Sequence, residues 1–192
     1  MRVIAGSCRG IRLRAPAGSD VRPTTDRVKE SMFAPLHFRL QGADVLDVFG
    51  GSGALGLEAA SRGARRVVIV EKSHAAQQAI AANLAACGSP PAIELLRMSW
   101  QRAFVCLEGQ QFSIVFVDPP YQSGQYEPVL AALPAHGLLA PDAEVILESD
   151  RVLEPDVSGY AFVRRKKYGG IYVTVLQQAD GAGGDGEADG RK

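Results

Sequence analysis

Apolar side chains fall in short, nearly continuous runs, of which Val67 to Val70 and Ile114 to Val117 are the cleanest, each the length of a strand and separated by stretches with apolar positions at helical spacing. Strands are expected at Asp44–Phe49, Arg66–Val70, Ile93–Leu96, Ser113–Val117 and Glu144–Glu148. Helices fall between them at about Ala54–Ser61, His74–Cys87, Trp100–Leu107 and Tyr126–Leu133. Strands apolar on both faces, alternating with helices, predict a mostly parallel sheet covered on both sides, an α/β fold. Two further strands, Tyr160–Lys166 and Ile171–Gln177, hinge at Gly169-Gly170. At the other end, Arg2–Ala5 and Gly10–Arg14 alternate Arg with Val, Ile or Leu around Gly6-Ser7-Cys8-Arg9, the pattern of a hairpin. Thr24-Thr25-Asp26 offers an N-cap to a helix carrying Val28, Met32 and Leu36, which Pro35 should end or kink.

These elements make one domain over residues 1–178, with a basic hairpin at 1–20 and an N-terminal helix within 22–39. Residues 179–192 are rich in Gly and Asp, lack large apolar side chains and are expected to be a disordered tail. A length of 192 residues suits a single domain, and 46% hydrophobic composition supplies a continuous core. No apolar run approaches the roughly 20 residues that span a bilayer. The N-terminus lacks the pattern of a secretory signal, so a cytoplasmic location is expected. Cys8, Cys87 and Cys106 are odd in number and scattered, as are His37, His74 and His136, which argues against a disulfide framework and a metal centre. Net charge is zero, yet residues 1–39 hold eight basic side chains against three acidic ones, and Arg164-Arg165-Lys166-Lys167 forms a second basic cluster. By themselves such clusters read first as solvated faces, with a polyanionic partner as the alternative.

Candidate chemistry concentrates at two turns. In the first, Val45-Leu46-Asp47-Val48-Phe49 runs into Gly50-Gly51-Ser52-Gly53 and then a helix. Glycines here let the backbone turn sharply and a ligand approach closely. Glu71 closes the next strand, 18 residues after Gly53, where a carboxylate can hold both ribose hydroxyls of a nucleoside cofactor. Gly51-Ser52-Gly53-Ala54-Leu55-Gly56 also matches the dinucleotide fingerprint literally, so an NAD-dependent oxidoreductase is an alternative. Against it stand the short chain and Asp47, an acid suited to a methionine amino group and repulsive beside a pyrophosphate.

The second turn is Asp118-Pro119-Pro120-Tyr121, directly after the apolar strand Ile114 to Val117 and about 65 residues beyond the glycine loop. In an open α/β sheet both turns face the crevice at the carboxyl ends of the strands. A residue before proline is held extended, which fixes Asp118. An aromatic amine is a poor nucleophile because its lone pair is delocalised. A carboxylate on Asp118 and the carbonyl of Pro119 could accept its N–H groups and localise that pair, while Tyr121 stacks on a base. Asp118, Pro119 and Tyr121 are therefore the candidate catalytic residues, with Pro120 beside the substrate.

With these blocks and Arg22-Pro23-Thr24-Thr25-Asp26-Arg27-Val28-Lys29-Glu30-Ser31-Met32-Phe33 in view, the chain from Arg2 to Leu176 resembles the bacterial 16S ribosomal RNA guanine-N2-methyltransferases of the RsmD type. The resemblance implies a Rossmann-like class I methyltransferase fold with seven strands, the last two antiparallel. It implies S-adenosyl-L-methionine held by Asp47, Gly50, Gly51, Gly53 and Glu71, and a flipped guanine received at Asp118 and Tyr121. The expected partner is 16S ribosomal RNA in the small subunit, with no metal and no membrane, and the chain is expected to act as a monomer. Arg97-Met98-Ser99 stands where many relatives of the fold carry an adenine-binding acid, which leaves Ser99 as the candidate for that bond. Arg22, Thr25 and Arg27 are candidates for contact with the substrate, although Thr25 and Arg27 could equally cap a helix and sit in solvent. DNA amino-methyltransferases and protein glutamine methyltransferases share the catalytic tetrapeptide chemistry and are the nearest alternatives. No separate region for reading a DNA sequence is evident.

Overall fold

A computed structural model of the chain describes residues 1–17, 26–120, 123–153 and 159–179. The expected tail from 180 onward and the start of the expected N-terminal helix lie outside the described residues. Seven strands among the described residues form one sheet: β1 (Asp44–Asp47), β2 (Arg66–Val70), β3 (Ile93–Leu96), β4 (Phe112–Val117), β5 (Leu139–Ser149), β6 (Tyr160–Tyr168) and β7 (Ile171–Gln178). Their order is β3-β2-β1-β4-β5-β7-β6. The first five strands in that order pair in parallel, and β7 is antiparallel to both β5 and β6. This is the Rossmann-like order expected of a class I methyltransferase. Among the described residues six helices connect or precede the strands: α1 (Asp26–Phe33), α2 (His37–Leu40), α3 (Ala54–Ser61), α4 (His74–Ala86), α5 (Trp100–Cys106) and α6 (Tyr126–Ala135).

The period-two alternation of strand side chains divides the core cleanly. Leu46, Val68, Val115 and Val145 face α5 and α6 through Phe104, Val129 and Leu133. Val45, Val67, Ile114 and Ile146 face the opposite layer, with Met32 and Phe33 of α1, Leu55 of α3 and Ile80 of α4. Pro35 falls between α1 and α2, so the apolar periodicity that runs on to Leu36 continues as packing after the first helix has stopped. Among the described residues no helix is long and apolar enough to cross a membrane.

The N-terminal hairpin is pinned to the core. Across it Val3 N donates to the Ile11 carbonyl, Gly10 N to the Val3 carbonyl and Leu13 N to the Met1 carbonyl, and Arg2 bridges Arg12. Val3, Cys8 and Leu13 pack on Ala54 and Leu57 of α3. Its tip docks at Ser61, whose carbonyl accepts from Ser7 N at 2.9 Å and whose Oγ donates to the Ala5 carbonyl at 2.6 Å. Gly6 has φ +83°, and a Cβ there would lie 1.7 Å from the Ser61 carbonyl oxygen. Gly6→Ala is accordingly expected to lift the tip from α3 and destabilise the fold by roughly 1–3 kcal/mol, measurable by chemical denaturation.

The charge count of the N-terminal end overstates its positive surface. Lys29 is fully buried in an ion pair with Glu58 at 3.0 Å. Arg2 pairs with Asp26, and Arg39 with Glu144. Among the described residues Arg9, Arg12, Arg14 and Arg27 are exposed and contribute to the basic face.

Candidate functional site

The strand order reverses between β1 and β4, and a crevice necessarily opens there because the connections leave on opposite sides. A cleft of about 810 Å³ occupies this position. That volume falls within the range of a site for a small organic ligand. The glycine loop after β1 lines one part through Gly50, Gly51 and Ser52, and Asp118, Pro119 and Pro120 after β4 line another. Glu71, at the end of β2, and Ser99, at the start of α5, complete the predicted residues found on its wall.

Gly51 and Gly53 have φ of +54° and +78°, in the left-handed region where glycine is least strained. Glu71 clamps the loop: its Oε2 accepts from Gly51 N at 2.8 Å, and its Oε1 from Ser73 N at 2.7 Å. Gly53 occupies the N-cap position of α3 without lining the cleft. Asp47 does not line it either. It is buried beneath the loop, where Oδ2 accepts from Gly56 N at 3.1 Å, while Oδ1 meets no hydrogen-bond partner among the described residues. Ser99 is the N-cap of α5, yet its hydroxyl makes no capping bond, which leaves it free to face the cleft. Arg27 is exposed on α1 and does not line the cleft. Arg22, Thr25 and Tyr121 lie outside the described residues.

Carboxyl groups crowd the site. Burial pushes Asp47 up to about 7, with the nearby Glu71 charge adding to the effect. Asp118 is held well above the usual carboxylate range by burial first, then by Glu148 and Asp47. Several acids near one another in a low-dielectric floor raise each other's proton affinity, and a bound cation would relieve that repulsion. A ligand carrying an ammonium and a sulfonium suits such a floor. The dinucleotide alternative places a pyrophosphate beside the same acids, and the electrostatics oppose it.

Several wall residues carry no sequence signal of their own. Met1, Ala15 and Pro16 reach the cleft from the N-terminal segment, and Met98, Trp100 and Gln125 from the α5 and α6 side. Trp100 Nε1 donates to Gln125 Oε1 at 2.8 Å, tying the starts of those two helices together. Trp100 could have been suspected as the single Trp immediately after Ser99, but nothing in the sequence brings Met1 or Pro16 to a glycine loop that begins only at Gly50.

Residues 1–177 match the family model described as conserved hypothetical protein 95. The ribosomal RNA small subunit methyltransferase D of Escherichia coli K12 is 37% identical, covering 98% of this chain and 94% of its own length. The chain belongs to this family. The protein of the same name from Haemophilus influenzae is 33% identical over 79% of each chain. Among solved structures, the Escherichia coli methyltransferase candidate yhhF superposes with a TM-score of 0.80 at 34% identity, covering 93% of this chain and 97% of that one. The fold is thus that of a family of methyltransferases.

Proposed function

We propose that this chain transfers a methyl group from S-adenosyl-L-methionine to the exocyclic N2 amine of a guanine in 16S ribosomal RNA, within the assembled or assembling small subunit. The observation that carries the proposal is the convergence of two turns, Gly50 to Gly53 after β1 and Asp118-Pro119-Pro120 after β4, on one acid-floored cleft. Relatives named for methylation of small-subunit ribosomal RNA, aligned over nearly the whole chain, support the choice of RNA.

S-adenosylmethionine supplies, when bound, an electrophilic methyl group on a sulfonium. The chain's own residues do the rest. Gly50 and Gly51 let backbone approach the ligand, and Glu71 offers a carboxylate to ribose hydroxyls. Asp47 contributes negative charge beneath the loop, with Gly53 shaping its exit into α3. Ser99 offers a hydroxyl to adenine, with Met98 and Trp100 as apolar walls beside it. Asp118 accepts one N–H of the incoming amine and the Pro119 carbonyl the other. Localising the nitrogen lone pair in this way and aligning it with the methyl group is the main catalytic contribution. The nitrogen must shed one proton after gaining a methyl, and the raised proton affinity of Asp118 suits its carboxylate to take it. Tyr121 and Pro120 flank the base, and Arg22, Thr25 and Arg27 contact the RNA backbone. Exposed Arg9, Arg12 and Arg14 extend a basic face toward phosphates, which position rather than specify. The protein is proposed to act in the cytoplasm as a monomer.

The test is transfer of labelled methyl from S-adenosylmethionine to small subunits lacking the modification, followed by nucleoside analysis. Labelled N2-methylguanosine is expected. Label appearing instead in DNA adenine or protein glutamine would redirect the substrate. Binding of NAD in preference to S-adenosylhomocysteine would overturn the cofactor.

A further inference from the structure

Asn83 sits in the last turns of α4 and is only 1% exposed, yet its side chain bonds to segments outside its own helix. Its Oδ1 accepts from Arg14 N at 2.8 Å, and its Nδ2 donates to the Arg14 carbonyl at 2.9 Å and to the Ser52 carbonyl at 2.8 Å. The amide orientation is determined by these partners, because a backbone N–H only donates and the two carbonyls only accept. One side chain therefore pairs with the end of the N-terminal hairpin as a strand would, and holds the cofactor loop at the same time.

Both attachments are at the cleft. Ser52 lines it from the glycine loop, while Ala15 and Pro16, immediately after Arg14, line it from the N-terminal segment. The Ser52–Gly53 peptide is fixed at both ends, its carbonyl by Asn83 and its N–H by the Gly50 carbonyl at 2.6 Å. Gly51 and Gly53 flank Ser52, so backbone sterics offer little resistance to turning that peptide plane over. The Asn83 amide supplies what the glycines do not.

We infer that Asn83 is a positioning residue: it sets the glycine loop against the N-terminal segment and so couples cofactor occupancy to the order of that segment. The inference rests on the S-adenosylmethionine reading above. Coupling of this kind is reciprocal, so whatever orders the N-terminal segment also tightens the cofactor. Because residues 22–27 are the proposed RNA contacts downstream of Arg14, the clasp offers a route by which the two substrates sense one another.

The experiment measures S-adenosylhomocysteine affinity, the KM for S-adenosylmethionine, and amide hydrogen exchange at Arg14 and in the loop, for wild type, Asn83→Ala and Asn83→Asp. Leu133→Ala, a core change in α6 away from the clasp, serves as the destabilised control. Both Asn83 variants are expected to weaken the cofactor by roughly tenfold, with kcat at saturation little changed. In wild type, S-adenosylhomocysteine should slow exchange at the Arg14 amide, and in Asn83→Ala that protection should vanish. Leu133→Ala should lose stability while keeping both the KM and the protection. Unaltered affinity in the Asn83 variants, or protection at Arg14 that survives them, would overturn the inference. If the variants do not fold, the absence of ligand-dependent protection at Arg14 in wild type overturns it alone. Failure of wild type to bind S-adenosylhomocysteine would overturn the cofactor reading itself, a result distinct from all of these.

Discussion

Asp118→Ala is expected to reduce kcat for methyl transfer by about 10²- to 10⁴-fold, the usual contribution of a positioned proton acceptor. S-adenosylhomocysteine should still bind, since the loop and Glu71 are untouched. Asp118→Asn separates two roles of the side chain: its amide oxygen can accept the N–H of the amine but cannot take the proton away, so intermediate activity is expected. Wild-type kcat/KM for S-adenosylmethionine should fall as pH drops through about 7, the value to which burial pushes Asp47. The sign follows from charge. The ionised carboxylates attract the cationic cofactor, their pKa values are raised, and protonation on the acid side removes the attraction. Asp118 titrates in the same direction, held up by burial, Glu148 and Asp47. A rate–pH series bracketing neutrality, run on wild type and on Asp47→Asn, checks this. A profile flat down to the ordinary carboxylate range near 4 would count against it.

Glu58→Ala should be the most destabilising single change, by roughly 3–5 kcal/mol, because it strands a buried ammonium. Glu58 is fully buried and is the meeting point of the N-terminal segment, α1 and α3. It accepts from Ile4 N at 2.8 Å and Ala5 N at 3.0 Å, and it pairs with Lys29 at 3.0 Å and Arg62 at 2.8 Å. Lys29 also donates to the Arg2 carbonyl. Burial lowers the Lys29 pKa, and Glu58 opposes that shift. Without Glu58 the depression deepens, so the unfolded chain binds more protons than the folded one and stability should rise with pH through that lowered value. Thermal melts of Glu58→Ala across an alkaline series would show it. Adding Lys29→Met should restore much of the loss, since a neutral pair avoids the desolvation of two charges.

The buried pair also shows where the amino-acid pattern is legible and where it is not. Runs such as Val67 to Val70 are apolar on both faces and carry strand and burial together, so the sheet and its two clothing layers follow from local pattern. The two turns are legible because glycine and proline restrict backbone in ways that chemistry requires. Lys29 is different: in sequence it joins a basic cluster, and only the docking of α1 on α3 reveals that Glu58 neutralises it. Strand β5 was expected over Glu144–Glu148 but spans Leu139–Ser149. Pro141 and Asp142 discourage a strand assignment, and only the Phe112↔Leu139 pairing, ahead of the register shift, reveals its start. Asp47 reads in sequence as a cofactor residue, but that it bonds Gly56 N from beneath the loop is not legible there, because the identity of an acid says nothing of which side of a turn it occupies. Asn83 and Pro16 are invisible for the same reason, since their importance lies in segments brought from far along the chain.

Among the described residues β3 and β6 form the two edges of the sheet, and each is protected differently. Strand β3 exposes only four residues, Ile93–Leu96, too short a template for much pairing. Strand β6 is longer, at nine residues, but its register shifts between Phe162 and Arg164, and it then carries Arg164, Arg165, Lys166 and Lys167 in succession. A second copy adding itself in antiparallel fashion to that border would bring like charges face to face. The run that allows a polyanionic partner thereby also keeps the sheet from growing by self-templating, an insurance against aggregation that would hold whether or not any RNA touches it.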